Sequence, residues 1–198
     1  MPRKAKQPRI PPLEPPYDAQ AAAALATLGP PIQLFRVLAR RPDRAHAVAS
    51  WGRYYLSRQT ALTLRQRELV IDRTTALCGA DYEWGAHISF FAGKAELDVA
   101  QLSSLAAGSP SDPCWEDPAD RALLRAVDEL HASCDLTDET WDGLAAAVGL
   151  EGALDAILVC GWYHAISFAV RALRLPAEPG TPSLAGGSVR APTRSPAR

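Results

Sequence analysis

Thr63-Leu-Arg-Gln-Arg-Glu-Leu-Val-Ile-Asp-Arg-Thr-Thr-Ala-Leu-Cys78, then Gly79, then Asp81-Tyr-Glu-Trp-Gly-Ala-His-Ile-Ser-Phe-Phe91 is the stretch that decides the fold class. Thr63 followed three residues later by Gln66 has the form of a capping box, so a helix starts there and runs through Cys78 to a stop at Gly79. Asp81 is placed to cap a second helix, which reaches Phe91 and ends by Gly93. Outward from this pair the pattern stays helical. Asp18 to Leu28, Leu34 to Arg41, Pro42 to Ser57, Glu96 to Ala107, Pro118 to Cys134, Thr137 to Val148 and Glu151 to Leu173 each carry helical periodicity. Ser109 to Asp117, with Pro110 and Pro113, reads as a loop. No alternating strand pattern or turn-linked hairpin pair is present. The expectation is an all-α, compact helical domain of about eight helices.

Composition agrees with a folded chain: 198 residues, 47% hydrophobic and 22% charged, allow a sizeable core. The domain organisation reads as a Pro-rich basic N-terminal tail over 1–16, a helical domain over 17–174 and a disordered C-terminal tail over 175–198. Part of the Pro-rich segment has the composition to lie along the domain in extended form. The formal charge of −1 divides into +3 on residues 1–16, +2 on 175–198 and −6 on the middle, which argues against a surface built for nucleic-acid phosphates. No secretory signal is visible, and the apolar run from Ile157 to Val170 is 14 residues, too short for a bilayer span of about 20. Four cysteines, Cys78, Cys114, Cys134 and Cys160, stand 36, 20 and 26 positions apart, neither a zinc spacing nor a disulfide framework. The reading is a cytoplasmic protein with no membrane and no nucleic-acid partner. The last helix is apolar nearly all round, which implies burial centrally or against another subunit.

Several side chains are chemically suggestive. At 100° per residue, Leu64, Ile71, Thr75 and Cys78 fall near the azimuth of Glu68. Glu68 is therefore either a carboxylate desolvated beside an apolar stripe and suited to proton transfer, or one paired with Arg65 or Arg67 at the stripe's edge. Glu83 and His87 are i and i+4 on one face, flanked by Phe90 and Phe91, the arrangement that orients an imidazole and raises its pKa. That pair supplies only two metal ligands, so no metal is assigned. Tyr82 and Trp84 project elsewhere, to line a pocket or to pack. His164, inside Trp162-Tyr-His-Ala-Ile-Ser-Phe168, is a hydrogen-bonded core residue or a site residue. Arg53, with Tyr54 and Tyr55, could hold an anionic substrate or stack on a helix surface, while His46 and His131 read as surface residues. A phosphate loop, a nucleophile elbow and a dinucleotide fingerprint are absent.

The run Arg67-Glu-Leu-Val-Ile71, then Cys78-Gly, Tyr82-Glu-Trp84, His87 and Gly93 resembles the carboxymuconolactone decarboxylase-like family, in the superfamily shared with alkylhydroperoxidase D. Pro8-Arg-Ile-Pro-Pro-Leu13 and the helix with Trp162-Tyr-His164 add to the resemblance, which spans roughly residues 8–174. In the peroxidase branch two cysteines stand seven and four residues before the motif histidine; here Ala80 and Glu83 occupy those positions. Without that pair, dithiol peroxide reduction is not expected. Tyr82 stands where that branch often has a second histidine. The resemblance instead implies a cofactor-independent lyase or decarboxylase, or a related isomerase, dehydratase or cyclase, acting on a small carboxylate- or carbonyl-bearing substrate. In that reading His87 is the general acid/base, Glu83 its orienter or a second base, Glu68 a buried relay and Tyr82 an oxyanion donor. Trp84, His164, Phe91 and Arg53 are candidates to contact substrate. The family also implies a homo-oligomer, a trimer or hexamer. The alternative is a non-catalytic oligomeric ligand-binding or scaffold protein of the same fold.

Overall fold

Nine consecutive residues of one helix, Arg67 to Thr75 of α4 (Leu64–Leu77), are buried, so this helix is enclosed on every side. In the computed structural model, which describes residues 7–184, α4 is the axis of the molecule. Its start is the Thr63–Gln66 capping box expected from the sequence. Leu69, Val70 and Ile71 are fully buried, each stabilising the fold by about 2 kcal/mol. Its polar residues must then find partners inside the protein. Arg65 pairs with Asp120 at 2.7 Å and Arg73 with Asp128 at 2.6 Å, both on α7 (Pro118–Ser133). Arg73 also donates to the carbonyls of Ser104 and Leu105 in α6 (Val99–Ala107).

Around α4 pack α5 (Asp81–Phe91), α6, α7 and α8 (Asp138–Leu173), enclosing a core that includes Trp84, Leu102, Trp115, Leu123 and Leu144. Trp115, in the loop after α6, is fully buried, and its indole N–H donates to Ser104 Oγ at 2.8 Å. A second layer is formed by α1 (Ala19–Leu28), α2 (Gln33–Leu38) and α3 (Pro42–Tyr55) around Ala24, Leu25, Ala39 and Ala45. The described residues contain eight helices and no strand. The all-α expectation and its element order are thereby met.

The last two expected helices are both present and are numbered together as α8; they meet at Gly149, whose φ of 74° and ψ of 170° lie in a region that only glycine enters readily. Two features differ from the sequence reading. By length and composition α8 is apolar enough to cross a bilayer, unlike the shorter run read from sequence. Val159, Cys160, Tyr163, Ile166 and Val170 pack it into the protein, but Leu154, Leu158 and Phe168 are exposed, so it is not enclosed within the monomer. Finally, residues 175–184 do not behave as a tail. Glu178 Oε1 accepts from Gln33 N at 2.6 Å and from the Tyr82 hydroxyl at 2.6 Å. Asp81, expected as a helix cap, instead accepts from Ser183 Oγ and Leu184 N. This strap crosses α5 so closely that a Cβ at Gly85 would collide with the Pro182 carbonyl. The Pro-rich start also lies on the domain, with Arg9 N donating to Leu173 O at 2.9 Å and Leu13 N to Arg36 O at 3.3 Å. The expected tails over 1–6 and 185–198 lie outside the described residues.

Candidate active site

Glu68, on α4, is fully buried and divides its two oxygens between two partners. Oε1 accepts a fork from Arg67, Nε at 2.9 Å and Nη2 at 2.7 Å. Oε2 lies 2.8 Å from His87 Nδ1 on α5. Both alternatives left open by the sequence are therefore realised: the carboxylate is paired with an arginine and desolvated. Arg67 itself sits over the Phe91 ring, 5.5 Å from its centroid, which keeps the guanidinium in place.

The other imidazole nitrogen, His87 Nε2, meets the Tyr163 hydroxyl from α8 at 3.0 Å and lies 3.6 Å from Glu83 Oε1. Burial works against a charged ring here, but the charge and hydrogen bond of Glu68, reinforced by Glu83, outweigh it and push the His87 pKa up to about 10. The ring is thus an imidazolium at neutral pH, with both N–H groups engaged. Tyr163 is held well above the usual phenol range, first by burial and then by the charges of Glu83 and Glu68. It remains a neutral hydroxyl. Asp72, one turn beyond Glu68, is buried with neither oxygen hydrogen-bonded among the described residues. Burial, aided by the Glu68 charge, raises its pKa well above the ordinary aspartate value, which favours its protonated form.

This chain of groups opens on a cavity of about 460 Å³ between the two helical layers. Glu83, His87 and Tyr163 form its polar wall, with Arg53 from α3 also lining it. The remainder is apolar, including Phe35, Phe91 and Trp162. Glu83 Oε2 is buried without a hydrogen-bond partner among the described residues, leaving an acceptor at the wall. Chemically, the arrangement holds a cationic acid, a neutral hydroxyl donor and a carboxylate around a largely apolar space.

Of the residues singled out from sequence, Glu68, Glu83, His87, Phe91 and Arg53 come together here, the last four lining the cavity and Glu68 behind them. Three do not. Tyr82 points away from the cavity: its hydroxyl accepts from Leu34 N at 3.0 Å and donates to Glu178, so it anchors the strap and offers no oxyanion donor. Trp84 is 0% exposed in the core and is no pocket wall. His164 lies on another face of α8, against His131 at 2.9 Å. Tyr163 and Asp72 were not assigned roles from sequence, and Arg67 was named only as a candidate partner for Glu68. The stripe Val159, Tyr163, Ile166, Val170 carries a helical period that marks Tyr163 as inward-facing.

No family model and no curated protein matches the chain. Among solved structures it is similar to an uncharacterized peroxidase-related protein from Silicibacter sp. TM1040, with a TM-score of 0.71. The superposition covers 90% of this chain and 97% of that one at 14% sequence identity. At that identity the likeness speaks for architecture alone, and the chain shares the all-helical fold of that peroxidase-related protein.

Proposed function

We propose that the protein is a cofactor-independent acid/base enzyme, of decarboxylase, isomerase, dehydratase or cyclase type. Its substrate is a small, largely apolar molecule bearing a carbonyl or carboxylate. The observation that carries the reading is the buried Glu68–His87–Tyr163 chain ending on an apolar cavity beside Glu83. With His87 Nδ1–H donated to Glu68, the Nε2–H of the charged ring is donated to Tyr163, whose own O–H is then free to point at a substrate oxygen. When a C–H proton or CO₂ leaves the neighbouring carbon, negative charge gathers on that oxygen. Tyr163 stabilises it, and transfer of the Tyr163 proton is matched by transfer of the His87 Nε2 proton to Tyr163. Glu83 is the acceptor for a carbon-bound proton, and Arg53 orients a substrate carboxylate from the opposite layer.

Thiol-based peroxide chemistry at this site has little support, although the similar structure is called peroxidase-related. None of the four cysteines lines the cavity. Burial raises the thiol pKa of Cys78, and that of Cys160 to about 11. The resemblance to the carboxymuconolactone decarboxylase-like family also supports a homo-oligomer, and the exposed Leu154, Leu158 and Phe168 on α8 are the residues we assign to the subunit contact.

The test is a panel of enolisable cyclic ketones and β-keto or vinylogous acids incubated in D₂O and followed by NMR. The expected result is α-deuteration or CO₂ loss from at least one member, abolished by His87→Gln. If no member reacts faster with the native protein than with His87→Gln, the proposal is rejected.

A further inference from the structure

Away from the cavity, three nitrogen and sulfur donors converge from three helical segments. Cys78 is the C-cap of α4, His131 lies in the last turn of α7, and His164 is in the second half of α8. One ligand atom from each lies within 4.8 Å of the other two. None of the three lines the cavity that holds His87. We propose that Cys78, His131 and His164 form a binding site for a borderline-soft divalent transition-metal ion, Zn²⁺ in particular, with a fourth position open to water.

The hydrogen bonds orient the donors for that task. His164 Nδ1 is 2.9 Å from the Cys160 carbonyl, which can only accept, so Nδ1 carries the proton and Nε2 presents its lone pair. A ligating histidine is commonly oriented in this way, with one nitrogen tied to a carbonyl and the other free for the metal. That Nε2 accepts a hydrogen bond from His131 Nδ1 at 2.9 Å, with ring centroids 5.1 Å apart, and a bound ion would take the place of the shared proton. In a tetrahedral zinc site the N···N separation is about 3.3 Å and N···S about 3.6 Å, from bond lengths of about 2.05 and 2.3 Å. The two rings need separate only by a few tenths of an ångström, and the thiol need approach by about 1.2 Å at most.

The donor set selects the ion. Two imidazoles and a thiol suit zinc and its neighbours, whereas calcium and magnesium require oxygen ligands. Cys160 sits behind His164, its Sγ 3.7 Å from Nδ1 rather than beside the free Nε2, so it positions the ring and is not assigned as a ligand. Arg171 donates to the Cys78 carbonyl, which places a cation beside the thiol; the thiol proton itself is displaced when the ion binds. His131 is exposed, His164 half-buried and Cys78 buried, so the ion enters from solvent at the His131 side. Local spacing could not reveal the site, because its ligands are 53 and 33 residues apart in the chain.

The full-length chain carrying Cys114→Ser and Cys134→Ser, which removes the two thiols outside the proposed site and Cys160, is titrated with Co²⁺ and then Zn²⁺. The expected result is one ion per chain, a thiolate-to-cobalt charge-transfer band, tetrahedral d–d absorption and displacement by Zn²⁺. Cys78→Ser should abolish the charge-transfer band, while Cys160→Ser should retain it. His131→Ala, at an exposed position where circular dichroism should report an unchanged fold, should weaken Co²⁺ binding at least tenfold, as should His164→Ala. Absence of a charge-transfer band, its loss in Cys160→Ser but not Cys78→Ser, or parent-like affinity in His131→Ala and His164→Ala would each overturn the proposal.

Discussion

Replacing Glu68 by Gln perturbs the buried chain at its base while keeping the shape of the side chain. The substitution removes the negative charge that lies 2.8 Å from His87 Nδ1. In the native protein the ring titrates at about 10 in place of 6.5. The folded ring therefore keeps a proton that the unfolded ring has released. Its stabilising contribution is complete below about 6.5, declines by ~1.4 kcal/mol per pH unit above that, and is gone beyond about 10. Asp72, also raised, adds a slope of the same sign that begins at lower pH. Without the Glu68 charge, burial lowers the ring's proton affinity with only Glu83 opposing it, and the His87 slope disappears. Urea unfolding at a series of pH values measures this directly. Between pH 7 and 9 the native protein should lose ~3 kcal/mol more stability than Glu68→Gln. At pH 6 the variant should be the less stable by ~3–5 kcal/mol, because Arg67 loses its charged partner. Parallel pH profiles for the two proteins would refute the reasoning.

Other substitutions probe separate parts of the account. Tyr163→Phe keeps the ring in the core but removes the donor at the cavity wall; kcat on a reactive panel member should fall ~10²–10³-fold, and stability should fall by ~1–3 kcal/mol because His87 Nε2–H loses its acceptor. Arg53→Ala should weaken carboxylate-bearing ligands about tenfold, read by isothermal titration, and leave neutral analogues unaffected. Gly85→Ala should drive the strap off α5, lowering stability by ~1–3 kcal/mol and accelerating proteolysis within 176–184.

The sequence conveyed the helices well because their boundaries depend on local chemistry. The Thr63–Gln66 box and Pro42 and Pro118 at first turns act within a few residues of themselves, whereas the helix expected from Glu96 starts at Val99, because Asp98 is its cap and Glu96 has a positive φ. Glu83, His87 and Phe91 were legible as one face of α5 through their i, i+4 spacing. Trp84 was not separable from them, because α5 is buried on nearly every side and no polar face marks the direction of the cavity. Tyr163 and His164 differ by a single 100° step on a helix with the same ambiguity. Tyr82 was misread for a different reason: its partner, Glu178, lies 96 residues away in a segment whose composition suggested disorder. A strap held by a few hydrogen bonds carries no periodic signal. Asp72, an ionisable residue inside a helix, became interpretable only once the surrounding helices showed that Arg67 to Thr75 are buried on every side.

The protonation state of His87 in the native protein tests the central claim most directly. Selective ¹⁵N labelling of histidine and an NMR titration should show both ring nitrogens protonated at pH 8, with the midpoint near 10. A ring that is neutral at pH 8 and titrates near 6.5 would contradict the account, because Tyr163 would then have no charged acid behind it.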